Sequence, residues 1–413
     1  MSEHLLHPFP GLRPADGAAE DVAAPPYDVV SFDEAAAMAD GRPWSFLHVS
    51  RPEIDLPPGT DSHADEVYAK GASNLAAMIE SGVLIRDDAP CYYVYRIIMG
   101  DHVQTGLVAA TPVDAYLKNI VRKHEFTRPD KEDDRVRQID EVDAQTGPVL
   151  VVHQPRTAIA DVLNDVTAQD ATYDVTQPDG VRHIVWAVTA PADVQRVADA
   201  YAPVDVLYIA DGHHRSAAAA RVAALRDGRG GTTDSHKRFL IVAFPTDELR
   251  ILDYNRVIKD LNGLSADAFL ERVGEVFDLT PTNTPARPGA AHDFGMYLDG
   301  NWYSLGTKSA PGPDAPPLDR LDVKLLSDRL LDPVLGIADP RTDPRIDFVG
   351  GIRGLEALEA RVDSGEWAVA FALFPTSIED LMAVADANEV MPPKSTWFEP
   401  KLADGLVSYP LDV

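Results

Sequence analysis

The residues best suited to chemistry are Asp211-Gly212-His213-His214-Arg215, set between the apolar run 204–210 and an alanine-rich stretch at 216–226. The pattern predicts a buried strand, a glycine-containing turn, and a helix that starts at Ser216. The first N–H groups of a helix have no partner within it and carry the positive end of its dipole, so such a turn is a ready anion site. Arg215 adds a planar cation suited to bidentate phosphate contact, and His213 and His214 add donors that also move protons. A plainer reading is a capped helix start, with Asp211 or Ser216 accepting a backbone N–H and the histidines as surface polar groups. Zinc fits less well, because adjacent histidines rarely point at one metal and H-E-x-x-H spacing is missing. Neither a G-x-x-x-x-G-K-[ST] loop nor a G-x-G-x-x-G turn after a strand occurs, so a P-loop or dinucleotide fold is unsupported.

A second constellation is Arg122-Lys123-His124-Glu125-Phe126-Thr127, followed by Lys131-Glu132-Asp133-Asp134-Arg135. Functionally read, Glu125 is a general base or metal-binding carboxylate, with Arg122, His124 and Arg135 near phosphates. Structurally read, the stretch is an exposed charged loop leading into a helix near 132–141. Farther on, Lys394, Ser395, Thr396 and Lys401 place two lysines close together in an acidic chain, where they can hold an anion. Pro392, Pro393 and Pro400 equally fit a rigid turn that buries Trp397 and Phe398. Tyr27 and Asp28, after Pro25-Pro26, either line a pocket or close a turn.

Several elements must position these groups. Apolar runs at 149–153, 182–188, 204–210 and 238–244 alternate with helical stretches near 157–166, 191–200 and 216–226, which predicts a mixed α/β sheet. Upstream, Val67, Ala72, Leu75, Met78 and Ile79 form a helical stripe over 64–81. Strands at 92–99 and 102–110 are joined at Gly100-Asp101. Downstream, proline and glycine punctuation at 281–289 and 309–317 marks loops or a linker. Helices near 319–331, 354–363 and 377–387 and a strand at 367–373 follow. The expected division is an N-terminal α/β part over 1–110, a core over 111–262 that holds both histidine motifs, and a C-terminal α/β part over 263–413.

Of the 413 residues, 45% are hydrophobic and 25% charged, ordinary values that predict a sizeable core. The formal charge of −29 argues against a nucleic-acid partner, which needs a basic stripe, and reads as a solvated acidic surface. Cys91 has no second cysteine to pair with and sits in an apolar run, so it reads as a buried structural thiol. Residues 1–14 lack the pattern of a signal peptide. No apolar run approaches the ~20 residues of a membrane helix. A soluble cytoplasmic protein without a membrane partner is expected, and a homodimer is left open.

A-P-P-Y-D-V at 24–29, H-E-x-T at 124–127, D-G-H-H-R at 211–215 and M-P-P-K-S-T-W-F-E-P-K at 391–401 resemble, in order and over nearly the whole chain, the prokaryotic domain of unknown function 1015 family. The H-E pair upstream of D-G-H-H-R is also similar to the free serine kinases of the ParB/sulfiredoxin superfamily, which transfer phosphate from a nucleotide to the hydroxyl of free L-serine. That second resemblance covers the central region only, and the insert between the two boxes is longer here. It implies an α/β fold (an α+β mixed sheet) with a ParB/sulfiredoxin-like nucleotide-binding core and large N- and C-terminal elaborations. It further implies ATP or ADP and Mg²⁺ as cofactors, with Glu125 as catalytic base and Gly212, His213, His214 and Arg215 cradling the phosphates. Asp211 would hold the metal, with Glu125, or orient the acceptor.

The expected activity is nucleotide-dependent phosphotransfer to a small hydroxylated metabolite, free L-serine first, with Tyr27, Asp28, Lys394, Ser395 and Thr396 contacting it. One rival is a nucleotide-binding regulatory switch that makes no phosphorylated product. The other is a phosphate-ester hydrolase in which His213 or His214 acts on the bound phosphate.

Overall fold

The computed structural model describes residues 4–227 and 233–411. The chain forms two compact units, Met1–Leu249 with Pro400–Val413, and Arg250–Glu399. The expected break after residue 110 falls inside a strand, His102–Pro112.

The first unit is built on an eight-stranded sheet in the order Val121–Arg122, Leu207–Asp211, Val149–His153, Arg238–Pro245, His102–Pro112, Tyr92–Met99, Arg182–Val188 and Tyr173–Thr176. Two neighbour pairs are parallel, Leu207–Asp211 with Val121–Arg122 and Arg238–Pro245 with Val149–His153, and the others are antiparallel. The sheet is therefore mixed α/β, as the alternation of apolar runs predicts. Alternate residues Val149 and Val151, Leu207 and Ile209, and Phe239, Ile241 and Ala243 enter one core, following the two-residue period of a strand. Helices Thr157–Thr167 and Pro191–Tyr201 add Ile159, Val162, Leu163, Val197 and Tyr201 to it. The small side chains of Ala217, Ala219 and Ala223 bring helix His213–Arg226 into the same core.

The strand–helix junction differs from the sequence expectation in one respect. The strand runs through Asp211, and the helix begins at His213 rather than Ser216. Gly212 turns the chain by itself, with φ 99° and ψ 29°, a left-handed conformation that is costly for any residue with a Cβ. His213, His214 and Arg215 are thus the first turn of the helix, about 100° apart around its axis.

Helix Pro129–Val142 starts with proline at its first position, where the missing N–H costs nothing, and packs beside His213–Arg226. Arg226, with only 4% of its side chain exposed, ion-pairs with Asp140 at 2.8 Å and with Asp143, so the two helices are clamped at their C-terminal ends. The C-terminal residues are stitched into this unit by backbone bonds: Ala24 with Asp404, Leu12 with Ser408, and Tyr409–Pro410 with Ala144–Gln145.

The second unit holds a wholly antiparallel six-stranded sheet, Phe277–Thr282, Asn301–Thr307, Asp293–Leu298, Val369–Leu373, Tyr254–Ile258 and Ile346–Gly350. A separate pairing joins Arg250–Leu252 to Trp397–Glu399. Among the described residues, no helix is long and apolar enough to cross a membrane.

Gly212→Ala should destabilise the first unit by roughly 1–3 kcal/mol, because alanine resists the left-handed conformation. Its Cβ would also sit 3.1 Å from Arg215 Cζ. Urea unfolding followed by circular dichroism measures the loss.

Candidate functional site

No side chain caps helix His213–Arg226. Ser216 Oγ donates instead to the His213 carbonyl at 2.9 Å, and Asp211 Oδ2 accepts from Lys401 Nζ at 3.2 Å. The capped-helix reading is therefore not what the chain does. Nor is His213 a surface group, since it is only 4% exposed, like His124 at 2%, whereas His214 is half-buried.

Strand Val121–Arg122, laid parallel to the 207–211 strand, delivers His124 and Glu125 to the start of the helix. The rings of His124 and His213 meet edge to face, with centroids 4.4 Å apart. The His124 backbone N–H points at His213 Nε2, 3.5 Å away, and Glu125 Oε2 lies 3.8 Å from His213 Nδ1. Burial pushes His124 down to about 4; burial, then the neighbouring His124, holds His213 well below the usual histidine value. Both rings are neutral at pH 7. With Nε2 of His213 accepting, the hydrogen-bond pattern assigns its one proton to Nδ1, the atom that faces Glu125.

One ligand atom from each of His124, Glu125 and His213 lies within 4.8 Å of the others, the composition of a divalent-metal site. His124 suits that role, since its buried Nδ1 has no hydrogen-bond partner among the described residues while its other nitrogen bonds to the Ile209 backbone. His213 does not. Its lone pair is turned to the His124 N–H and its proton to Glu125.

Asp211, a third of whose side chain is exposed, sits where the strand ends. Desolvation works against its ionisation, but Lys401 and then Arg215 outweigh it and hold the carboxyl well below the ordinary range. Arg215 Nη2 is 4.0 Å from Asp211 Oδ1, and its Nη1 donates to the Pro148 carbonyl. His214 turns the other way, with Nε2 accepting the Arg128 backbone N–H at 3.1 Å.

Arg122 stacks over Tyr208, 5.6 Å from the ring centroid, on the edge of the sheet. Arg135 lies 3.8 Å above the ring centre of Tyr27 and bonds Asp134 at 2.7 Å. Tyr27 is half-buried and Asp28 exposed. The field of Asp28 reaches Arg215, which ties the 24–29 segment to the helix start. Lys394, Ser395 and Thr396 belong to the second unit. There Ser395 Oγ donates to the Pro392 carbonyl at 2.7 Å, Arg256 Nη2 donates to the Lys394 carbonyl at 3.0 Å, and Phe398 is buried. Trp397, which the rigid-turn reading also buries, is half-buried. Sequence reasoning missed Asp404 and Ser50, which carry no motif; the only signal for Asp404 is its place three residues after Lys401.

No curated protein sequence matches the chain. Among solved structures, it is similar to a free serine kinase in complex with AMP, with 14% identity over 71% of this chain and 86% of that one and a TM-score of 0.34. A conserved hypothetical protein from Pyrococcus furiosus gives 15% identity over 72% and 94%, with a TM-score of 0.34. SbnI with a C-terminal truncation, from Staphylococcus aureus, gives 14% identity over 74% and 87%, with a TM-score of 0.38. Similarity this low carries no argument about chemistry. A family model described as a protein of unknown function, DUF1015, matches residues 6–324, and the chain belongs to that family.

Proposed function

We propose that this protein is a nucleotide-dependent phosphotransferase with a ParB/sulfiredoxin-like core, using ATP or ADP to phosphorylate a small hydroxylated metabolite, free L-serine first. The observation that carries the reading is the meeting of Glu125 and His213 at an uncapped helix start. Arg215 and Lys401 lie on either side of Asp211. A phosphoryl group at the first helical turn would meet unpaired backbone N–H groups and two cations, the environment that phosphoryl transfer requires.

In the proposed step, the acceptor hydroxyl oxygen attacks the terminal phosphorus and its proton passes to Glu125. The bond to the bridging oxygen breaks, leaving a phosphate ester and a nucleotide one phosphate shorter. The Nδ1–H of His213 keeps the carboxylate turned toward the cluster without competing for the proton, because the ring resists a second one. A bound Mg²⁺ would supply charge neutralisation on the nucleotide phosphates, for which it needs one or two carboxylates. Glu125 and Asp211 are oxygen donors of that kind, whereas the neighbouring imidazoles suit other ions.

O-phosphoserine, sought by mass spectrometry after incubation with ATP or ADP, Mg²⁺ and L-serine, is the direct test. No product across a panel of amino acids and polyols, from protein that binds nucleotide, would sink the reading. Glu125→Gln should lower turnover by roughly 10²–10⁴-fold while nucleotide affinity is retained, the signature of a lost general base. An unchanged rate removes Glu125 from that role. Arg215→Ala should weaken nucleotide binding by roughly 10- to 100-fold, the range for a charge-assisted hydrogen bond. Isothermal titration of folded variant and parent measures it.

A further inference from the structure

Beside Arg215, and within the first unit, a cleft is lined by Tyr27, Ser50, Arg135, Gly147, Arg215 and Asp404 among others. Its walls come from the 24–29 segment, the helix before Arg51, helix Pro129–Val142 and the C-terminal return. Two guanidinium groups, Arg135 and Arg215, face a carboxyl, Asp404, that is only 2% exposed. Asp404 is fixed by its backbone pairing with Ala24 and forms no ion pair with either arginine among the described residues. The Ser50 hydroxyl, 4% exposed, is buried with no hydrogen-bond partner among the described residues. Gly147 keeps the cleft open, for a Cβ there would lie 3.3 Å from Arg215 Cδ and 3.5 Å from Asp404 Oδ1.

Two guanidinium groups, a buried carboxyl with no ion pair among the described residues and a hydroxyl with no partner among them line one cleft, and they call for a ligand that carries both charges. We propose that this cleft binds a small α-amino acid as a zwitterion, its carboxylate on Arg135 and its ammonium on Asp404, and so selects the acceptor. The binding claim stands by itself; only the word acceptor rests on the phosphotransferase reading. Arg215 lines the cleft and lies 4.0 Å from Asp211, so it borders both the cleft and the place where the phosphoryl group is proposed to sit.

Asp404 also gives the binding a pH dependence. Burial raises its carboxyl to about 7, with Arg215 and Arg135 pulling down and Asp28 pushing up, while the Tyr27 backbone N–H helps the charged form. Tyr27 itself, raised to about 12 by burial, stays protonated. An ammonium needs the ionised carboxylate. Affinity should therefore rise between pH 6 and pH 8, and binding near pH 7 should release a proton.

The test uses the full chain and calorimetry with three probes: L-serine, glycerate (no amine) and ethanolamine (no carboxylate). L-Serine should bind at least about tenfold more tightly than the other two, since glycerate leaves Asp404 without a cation and ethanolamine brings no carboxylate to the arginines. Asp404→Asn, nearly isosteric, should lose that preference over glycerate. Ser50→Ala, a milder change, should weaken L-serine binding without altering the preference. Glycerate binding as tightly as L-serine would overturn the proposal, as would an Asp404→Asn variant with the parent's preference. So would no binding by any probe to protein that binds ATP, although that result leaves the phosphotransferase reading intact. L-Serine bound by protein that binds neither ATP nor ADP removes the phosphotransferase reading and supports the cleft.

Discussion

Everything at the candidate site depends on one backbone constraint, the left-handed conformation of Gly212. Because a single residue reverses the chain between strand and helix, three consecutive polar side chains leave the same helical turn in three directions. His213 turns to His124 and Glu125, His214 to the backbone of Arg128, and Arg215 to Pro148 and the cleft. A longer turn, as the sequence alone implies, would leave these residues outside the helix and without fixed bearings. The cost of the left-handed residue is small for glycine and is met once, while the positions of three functional groups follow from it.

The second organising influence is electrostatic. In a chain of formal charge −29, the first unit gathers Arg135, Arg215 and Lys401 around two aspartates that behave oppositely. Asp211 is partly exposed and has Lys401 at hydrogen-bond distance, so its ionised form prevails. Asp404 is enclosed and has no ion pair among the described residues, so burial prevails over the field of the same Arg215. Two carboxyls driven apart by their surroundings are what distinct charge states at one pH require. Here the surroundings of Asp211 favour its anion, whereas burial favours the neutral form of Asp404.

Much of the first unit was legible in the sequence. The strands 149–153, 182–188 and 238–245 and the helix at Asp65–Glu80 follow from apolar periodicity, because tertiary packing agrees with local pattern there. The two-residue strand Val121–Arg122 was not legible, since so short a pairing has no period, yet it carries His124 and Glu125 to the helix. Nor does any local pattern show that residues after Pro400 rejoin the first unit. That return is a long-range backbone pairing, and it separates Lys401 and Asp404 from the lysine motif beside which they stand in sequence. The motif residues Lys394 to Thr396 fold with the second unit through contacts of their own.

The neutrality of the histidine pair narrows what chemistry the cluster can do. An imidazolium beside Glu125 would hold the carboxylate as an ion pair and make it a poor base. The desolvation that keeps His124 and His213 uncharged leaves Glu125, 44% exposed, with a hydrogen-bond donor nearby but no full positive charge from these rings. The cations stand instead around Asp211, on Arg215 and Lys401, where phosphate charge would gather rather than where a proton would be taken. The cations around Asp211 thus stand apart from the uncharged rings beside Glu125. A histidine acting on phosphate as an acid would have to carry the very proton that its burial denies it.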